Sequence, residues 1–184
     1  MPFGISCRQR LLLLALVLMT TPLPCSADDV DPLKIFVERY RCETVVRLEQ
    51  IRAAKAKKNR YITLSLRASE AYYVQCIYDD DGTEMLCEAA SGAYGEKSGA
   101  TERITVPQKR ITALEAIGFK TDEPEKNFSQ VAGVKSENGL VAIAELMLTA
   151  LFHGYSANAD SKVTYRAPYG PGGEAVRKRC IPIT

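Results

Sequence analysis

Between Tyr72 and Ala90 the chain reads YYVQCIYDDDGTEMLCEAA, two alternating runs on either side of an Asp-Asp-Asp-Gly turn. Aspartate and glycine tolerate the positive φ that a tight turn demands, so this stretch predicts a β-hairpin. A two-residue turn at Asp81-Gly82 pairs Asp80 with Thr83, Tyr78 with Met85, Cys76 with Cys87 and Val74 with Ala89, and every pair on that face except the turn is apolar. Ile62, Leu64 and Leu66 of a preceding run, Tyr61 to Arg67, offer a matching apolar face. Gln75, Glu84 and Glu88 fall on the other side, which Ile77 and Leu86 share. Counting from Asp81-Gly82 makes Cys76 and Cys87 a hydrogen-bonded pair with Cα atoms about 5.5 Å apart, where a bridge needs special geometry. A structural disulfide, buried free thiols and an active dithiol all remain open at this point.

The hairpin's redox setting depends on the N-terminus. Arg8 and Arg10 precede an unbroken apolar run, Leu11 to Met19, followed by Thr20-Thr21-Pro22-Leu23-Pro24 and the small trio Cys25-Ser26-Ala27. That order predicts a secretory signal peptide over residues 1–27, in a run too short for a membrane anchor. Pro24 before Cys25 is a poor context for lipid-linked cleavage, and Gln9 separates the arginines, so there is no twin-arginine pair. The expected location is outside the cytoplasm, in the periplasm or beyond it, where disulfides persist. Four cysteines are left in the mature chain, Cys42, Cys76, Cys87 and Cys180, and they allow three complete pairings. The preferred set joins Cys76 to Cys87 and, because Cys42 lies off the apolar stripe of its helix, Cys42 to Cys180.

Removing residues 1–27 from the 184 leaves 157, a length that suits one domain with one core. Once Arg8 and Arg10 are gone, 22 basic residues face 22 acidic ones, so no global field draws the chain to nucleic acid. Local basic clusters at Lys55, Lys57, Lys58 and Arg60, and at Arg177-Lys178-Arg179, read as solvated helix ends or tails.

Asp31-Pro32 caps an amphipathic helix in which Leu33, Phe36, Val37, Tyr40, Thr44, Leu48 and Ile51 recur at helical spacing, to about Lys57. A shorter helix opens at Pro107, carries Ile111, Leu114 and Ile117, and stops at Gly118. Asn127 to Val131 reads as a short strand. Leu140 to Phe152 is apolar nearly all round, so a helix there needs cover on more than one side. Leu140, Ile143, Ala144, Met147 and Leu151 can lie on the sheet, which leaves Val141, Leu148 and Phe152 as candidates for a self-association surface and a homodimer. From Tyr155 onward the Ala, Pro and Gly content predicts a loose tail, residues 155–184, unless Cys180 ties it down. The expected fold is α+β: a mainly antiparallel sheet packed with a long N-terminal helix and two further helices, within a single domain over residues 28–154.

Catalytic patterns are weak. His153 is the single histidine and has no Ser or Cys partner in a triad-like arrangement. Cys76 and Cys87 lack the spacing of a zinc site. Asp79, Asp81 and Thr83 alternate like calcium ligands, yet an EF-hand loop from Asp79 requires glycine at Glu84 and glutamate at Ala90. Neither GxxxxGK[ST] nor GxGxxG occurs. No cofactor, metal, nucleic acid or membrane span is expected.

Taken together, YVQCIYDDDGTEMLCEAASGAY at residues 73–94, a helix ending ALEAIGF at 113–119, and Asn127-Phe128 resemble the TY-Chap group of type III secretion chaperone-like domains. The likeness covers roughly residues 60–153, with Ile117-Gly118-Phe119 where that group carries Leu-Gly-Phe. It implies a chaperone-like fold and the holding of a protein or peptide, here in an exported form. The expected function is therefore a non-enzymatic binding module that uses a sheet edge or helix surface. The alternatives are a periplasmic thiol-redox protein using Cys76 and Cys87, or a structural envelope protein.

Overall fold

The structure is a computed structural model that describes residues 31–94, 105–123, 125–168 and 179–180. The expected signal peptide, with Cys25, lies outside the described residues, as do Arg177 and Lys178. Helix α1, Pro32–Arg52, begins as its sequence dictates: the Asp31 carboxylate accepts from the Leu33 amide at 3.0 Å and proline occupies the first turn. It stops five residues short of Lys57. The Arg60 side chain donates to the Ala54 carbonyl at 2.9 Å, and a single 3-10 turn, Lys57–Asn59, swings the chain into the sheet.

The strands are β1, Tyr61–Leu66; β2, Ser69–Tyr78; β3, Glu84–Ala89; β4, Phe128–Gly133; and β5, Val163–Arg166. They form one antiparallel sheet in the order β4-β3-β2-β1-β5. Two more helices, α2 at Gln108–Ala116 and α3 at Glu137–Tyr155, complete an α+β fold. Gly118 ends the α2 segment at φ +99°, a backbone conformation that demands glycine, with the end of the Gln130 side chain 2.9 Å from where a Cβ would stand.

One face of the sheet is the core. Ile62, Leu64, Val74, Cys76, Met85, Cys87 and Ala89 have no exposed surface, and α3 and α1 lie over them. This placement corrects the expected self-association surface. Leu148 is fully buried, and Phe152 stacks on Phe36 of α1 with ring centroids 5.8 Å apart. The second apolar face of α3 is thus covered from within by α1, and Val141 is half-buried. An all-apolar helix is satisfied by a sheet on one side and a second helix on the other.

The described part of the expected loose tail, residues 155–168 and 179–180, is tied down. Val163–Arg166 adds β5 to the outer side of β1, with Leu64 opposite Tyr165. Tyr165 is fixed there by α1: the Arg47 guanidinium sits over its ring at 4.6 Å, and its hydroxyl lies 3.1 Å from that of Thr44. Tyr40 donates to the Ser161 carbonyl at 3.0 Å, and Arg39 donates to that of Ala159 at 2.6 Å. Cys180 is then bonded to Cys42.

Burial governs the protein's alkaline limit. The Tyr78 hydroxyl donates to the Leu48 carbonyl and the Tyr155 hydroxyl to the Ala90 carbonyl. Loss of solvation pushes Tyr78 up to about 12, with smaller opposed effects of Arg52, which lowers it, and Glu49, which raises it. Burial also lifts Tyr155 well above its ordinary value. Native phenols that hold their protons more tightly than unfolded ones contribute stability fully present below pH about 10, and lost as pH rises through the native values. Unfolding is therefore expected to set in above pH about 10, with phenolate appearing in step with loss of circular dichroism. Tyr78→Phe should make that limb shallower; an unchanged limb would show that Tyr78 does not drive it.

Candidate binding surface

The face of the sheet turned away from the helices is built by the same alternation that makes the core. In β1 the odd positions point to it, in β2 the odd, in β3 the even, and in β4 the odd. The register aligns them in rows. Tyr61 pairs with Ile77, Ile77 with Leu86, and Leu86 with Val131, so four apolar residues run side by side across β1, β2, β3 and β4. Val131 is 60% exposed and Leu86 40%, the most open large hydrophobic side chains among the described residues. Neighbours in such a row stand about 5 Å apart, close enough to make one strip.

The adjoining row is polar. It reads Ser129, Glu88, Gln75, Thr63 and Arg166 from β4 to β5, with Thr63 donating to the Gln75 side chain at 3.1 Å. Arg166 also meets Glu70 at 3.3 Å, and both are largely solvent-exposed, so their mutual attraction is weak. On the far side of the apolar strip stands exposed Glu84. Along the outer edge of β4, the Lys120 and Ser129 backbones exchange both hydrogen bonds, which closes that edge beside Ser129.

The hairpin pairs as the sequence predicts, yet its turn differs. Asp79 donates its amide to the Glu84 carbonyl at 3.0 Å, so Asp80 to Thr83 form a four-residue loop. The Asp79 carboxylate accepts from the Thr83 amide at 2.8 Å, the Glu84 amide at 3.2 Å and the Thr83 hydroxyl at 3.2 Å. These bonds outweigh desolvation, which acts the other way, and lower its pKa. Asp79 thus serves the loop's own backbone. With Asp79 and Glu84 as the hydrogen-bonded pair, the parity along the ladder is reversed. Cys76 and Cys87 become a non-hydrogen-bonded pair with Cα atoms 4.0 Å apart, in place of the expected 5.5 Å pair.

Both expected disulfides are present, Cys42–Cys180 and Cys76–Cys87. Their surroundings differ: Cys76 and Cys87 are fully buried, whereas Cys42 is exposed on α1. His153 is exposed, and its ring packs edge-on against Phe152 at 5.4 Å. Among the described residues no group of three or more His, Cys, Asp or Glu side chains is arranged to hold a metal ion, and no helix is long and apolar enough to cross a membrane. Ile77 and Leu86 stand out in the sequence as apolar intruders on the polar face; Tyr61 and Val131 do not, because only the register of distant strands brings them into line.

No family model, curated protein or solved structure matches this chain.

Proposed function

We propose that this chain is an exported, non-enzymatic binding module of the periplasm that holds a protein or peptide against the open face of its sheet. The observation that carries this is the strip Tyr61, Ile77, Leu86 and Val131, apolar across four strands and open at Leu86 and Val131. Rows of aligned side chains on a rigid sheet suit recognition by complementary apolar groups, with the polar row beside them setting orientation. Two disulfides fit a protein built for an oxidising compartment. Full burial of Cys76 and Cys87 weighs against thiol exchange at that pair, since exchange needs attack on an accessible sulfur. The chaperone-like aspect of this reading rests on the short TY-Chap motifs.

A photo-crosslinking side chain placed at Val131, at Leu86 or at Lys58, far from the strip, tests the surface in the native envelope. Adducts are expected from the first two positions and not from Lys58. Absence of any adduct at Val131 and Leu86, in protein that retains both disulfides, would overturn the assignment.

A further inference from the structure

We infer that the segment held by this face carries apolar side chains bordered by lysine or arginine, an inference that rests on the open face being the contact surface and adds the chemistry of what it accepts. The strip is most open at Leu86 and Val131, on β3 and β4. Side chains on one face of a strand recur every second residue, about 7 Å apart, so the neighbours of Leu86 along β3 are Glu84 and Glu88, one on each flank of the strip. Asp79 stands opposite Glu84 and adds a third carboxylate, bonded to its own loop. The other flanking positions on the strands, Thr63, Gln75, Ser129 and Gly133, are uncharged. Cations stand at the margins: Lys57 is paired with Asp80 at 3.0 Å, Arg166 with Glu70 at 3.3 Å, and Lys120 lies opposite Ser129 on the outer edge of β4. An apolar surface rimmed by carboxylates favours a partner with cations at the same places and rejects one with anions there.

A second copy of this chain does not meet that requirement. Two sheets stacked about a two-fold axis along the apolar row would set each residue of the strip over itself, and Glu84 over Glu88 of the other copy. An axis along the strands between β2 and β3 would also cover the strip, with Ile77 over Leu86 and Tyr61 over Val131, and would set Glu84 over Asp79. Both bring carboxylate against carboxylate, so the complement comes from a different chain. Four residues at a spacing of about 4.8 Å span about 14 Å, the length of about ten residues of helix or about four extended residues. The occupant is thus a short segment with several apolar side chains on one side and cations placed to reach Glu84 and Glu88.

The test uses leucine–lysine peptides of about ten residues, one with leucine at helical spacing and one at alternating spacing, together with their leucine–glutamate counterparts. Binding to the oxidised, exported chain is followed by fluorescence anisotropy. At least one lysine peptide should bind and label a photo-crosslinking side chain in place of Val131, and the glutamate peptides should do neither. Glu84→Lys combined with Glu88→Lys should weaken the lysine peptide about tenfold or more and reverse the preference, whereas Glu38→Gln, which removes an exposed carboxylate of α1, should leave both unchanged. Circular dichroism checks that each variant is folded. The inference is overturned if neither lysine peptide binds, if lysine and glutamate peptides bind equally, or if the double reversal leaves lysine-peptide binding intact. A Val131 adduct in the envelope that proves to be a second copy of this chain overturns it too. If Val131 crosslinks to another envelope protein while the lysine peptides neither bind nor compete for that adduct, the cationic segment falls and the contact surface stands. If neither adduct nor peptide binding occurs, both fall.

Discussion

Leu148→Glu is expected to prevent folding, leaving no folded monomer released from an assembly. Leu148 has no exposed surface and lies within the cluster of buried hydrophobic side chains that includes Phe36, Leu48 and Leu151. An unpaired buried charge costs several kcal/mol in addition to the packing lost, against a net stability of about 5–15 kcal/mol for a domain. Leu148→Ala separates packing from charge. It should leave a folded protein destabilised by about 2–5 kcal/mol, with thermal unfolding shifted down by about 10 °C. Thermal denaturation followed by circular dichroism measures both. A folded, soluble Leu148→Glu protein would return this residue to the surface role that the sequence suggested for it.

The Cys42–Cys180 bridge should account for the second large effect. It closes a loop with a sequence separation of 138, the longer of the two disulfide loops among the described residues, and in the chain-entropy picture such a closure is worth about 5 kcal/mol. Changing both residues to serine removes that constraint without leaving a lone thiol, and should lower the unfolding midpoint more than the corresponding change at Cys76–Cys87, whose separation of 11 gives about 3 kcal/mol. Because Cys42 is exposed and the inner pair is not, a mild reductant should open the outer bridge alone in the native protein. Peptide mapping after brief reduction and alkylation reads the result. Equal labelling of all four cysteines would refute the difference in access.

Much of the fold can be read in the sequence because its strongest signals are local. The hairpin register follows from Asp81-Gly82 and the apolar alternation around it, and α1 starts where Asp31-Pro32 places it. The turn is less legible: whether two or four residues form the loop depends on what the Asp79 carboxylate binds, and the parity of the cysteine pair follows from that choice. Strand β5 escapes for another reason. Val163 and Tyr165 alternate over only four residues amid Ala, Pro and Gly, and their partner is β1, far back in the chain. Likewise Leu148 reads as unsatisfied until α1 is known to cross α3. The apolar strip is half legible, since Ile77 and Leu86 belong to one hairpin, whereas Tyr61 and Val131 join it only through β1 and β4.

The position of β5 has a consequence for how the molecule is made. A ribosome delivers α1 first and the strand that fastens it last, so the helix, β1 and their cysteine must wait for the final stretch of polypeptide before Arg47 finds Tyr165 and Cys42 finds Cys180. Until then, a row of backbone donors and acceptors on β1 is available to neighbouring nascent chains. A chain cut short before Val163 would lack β5 and Cys180, and with them both ties to α1.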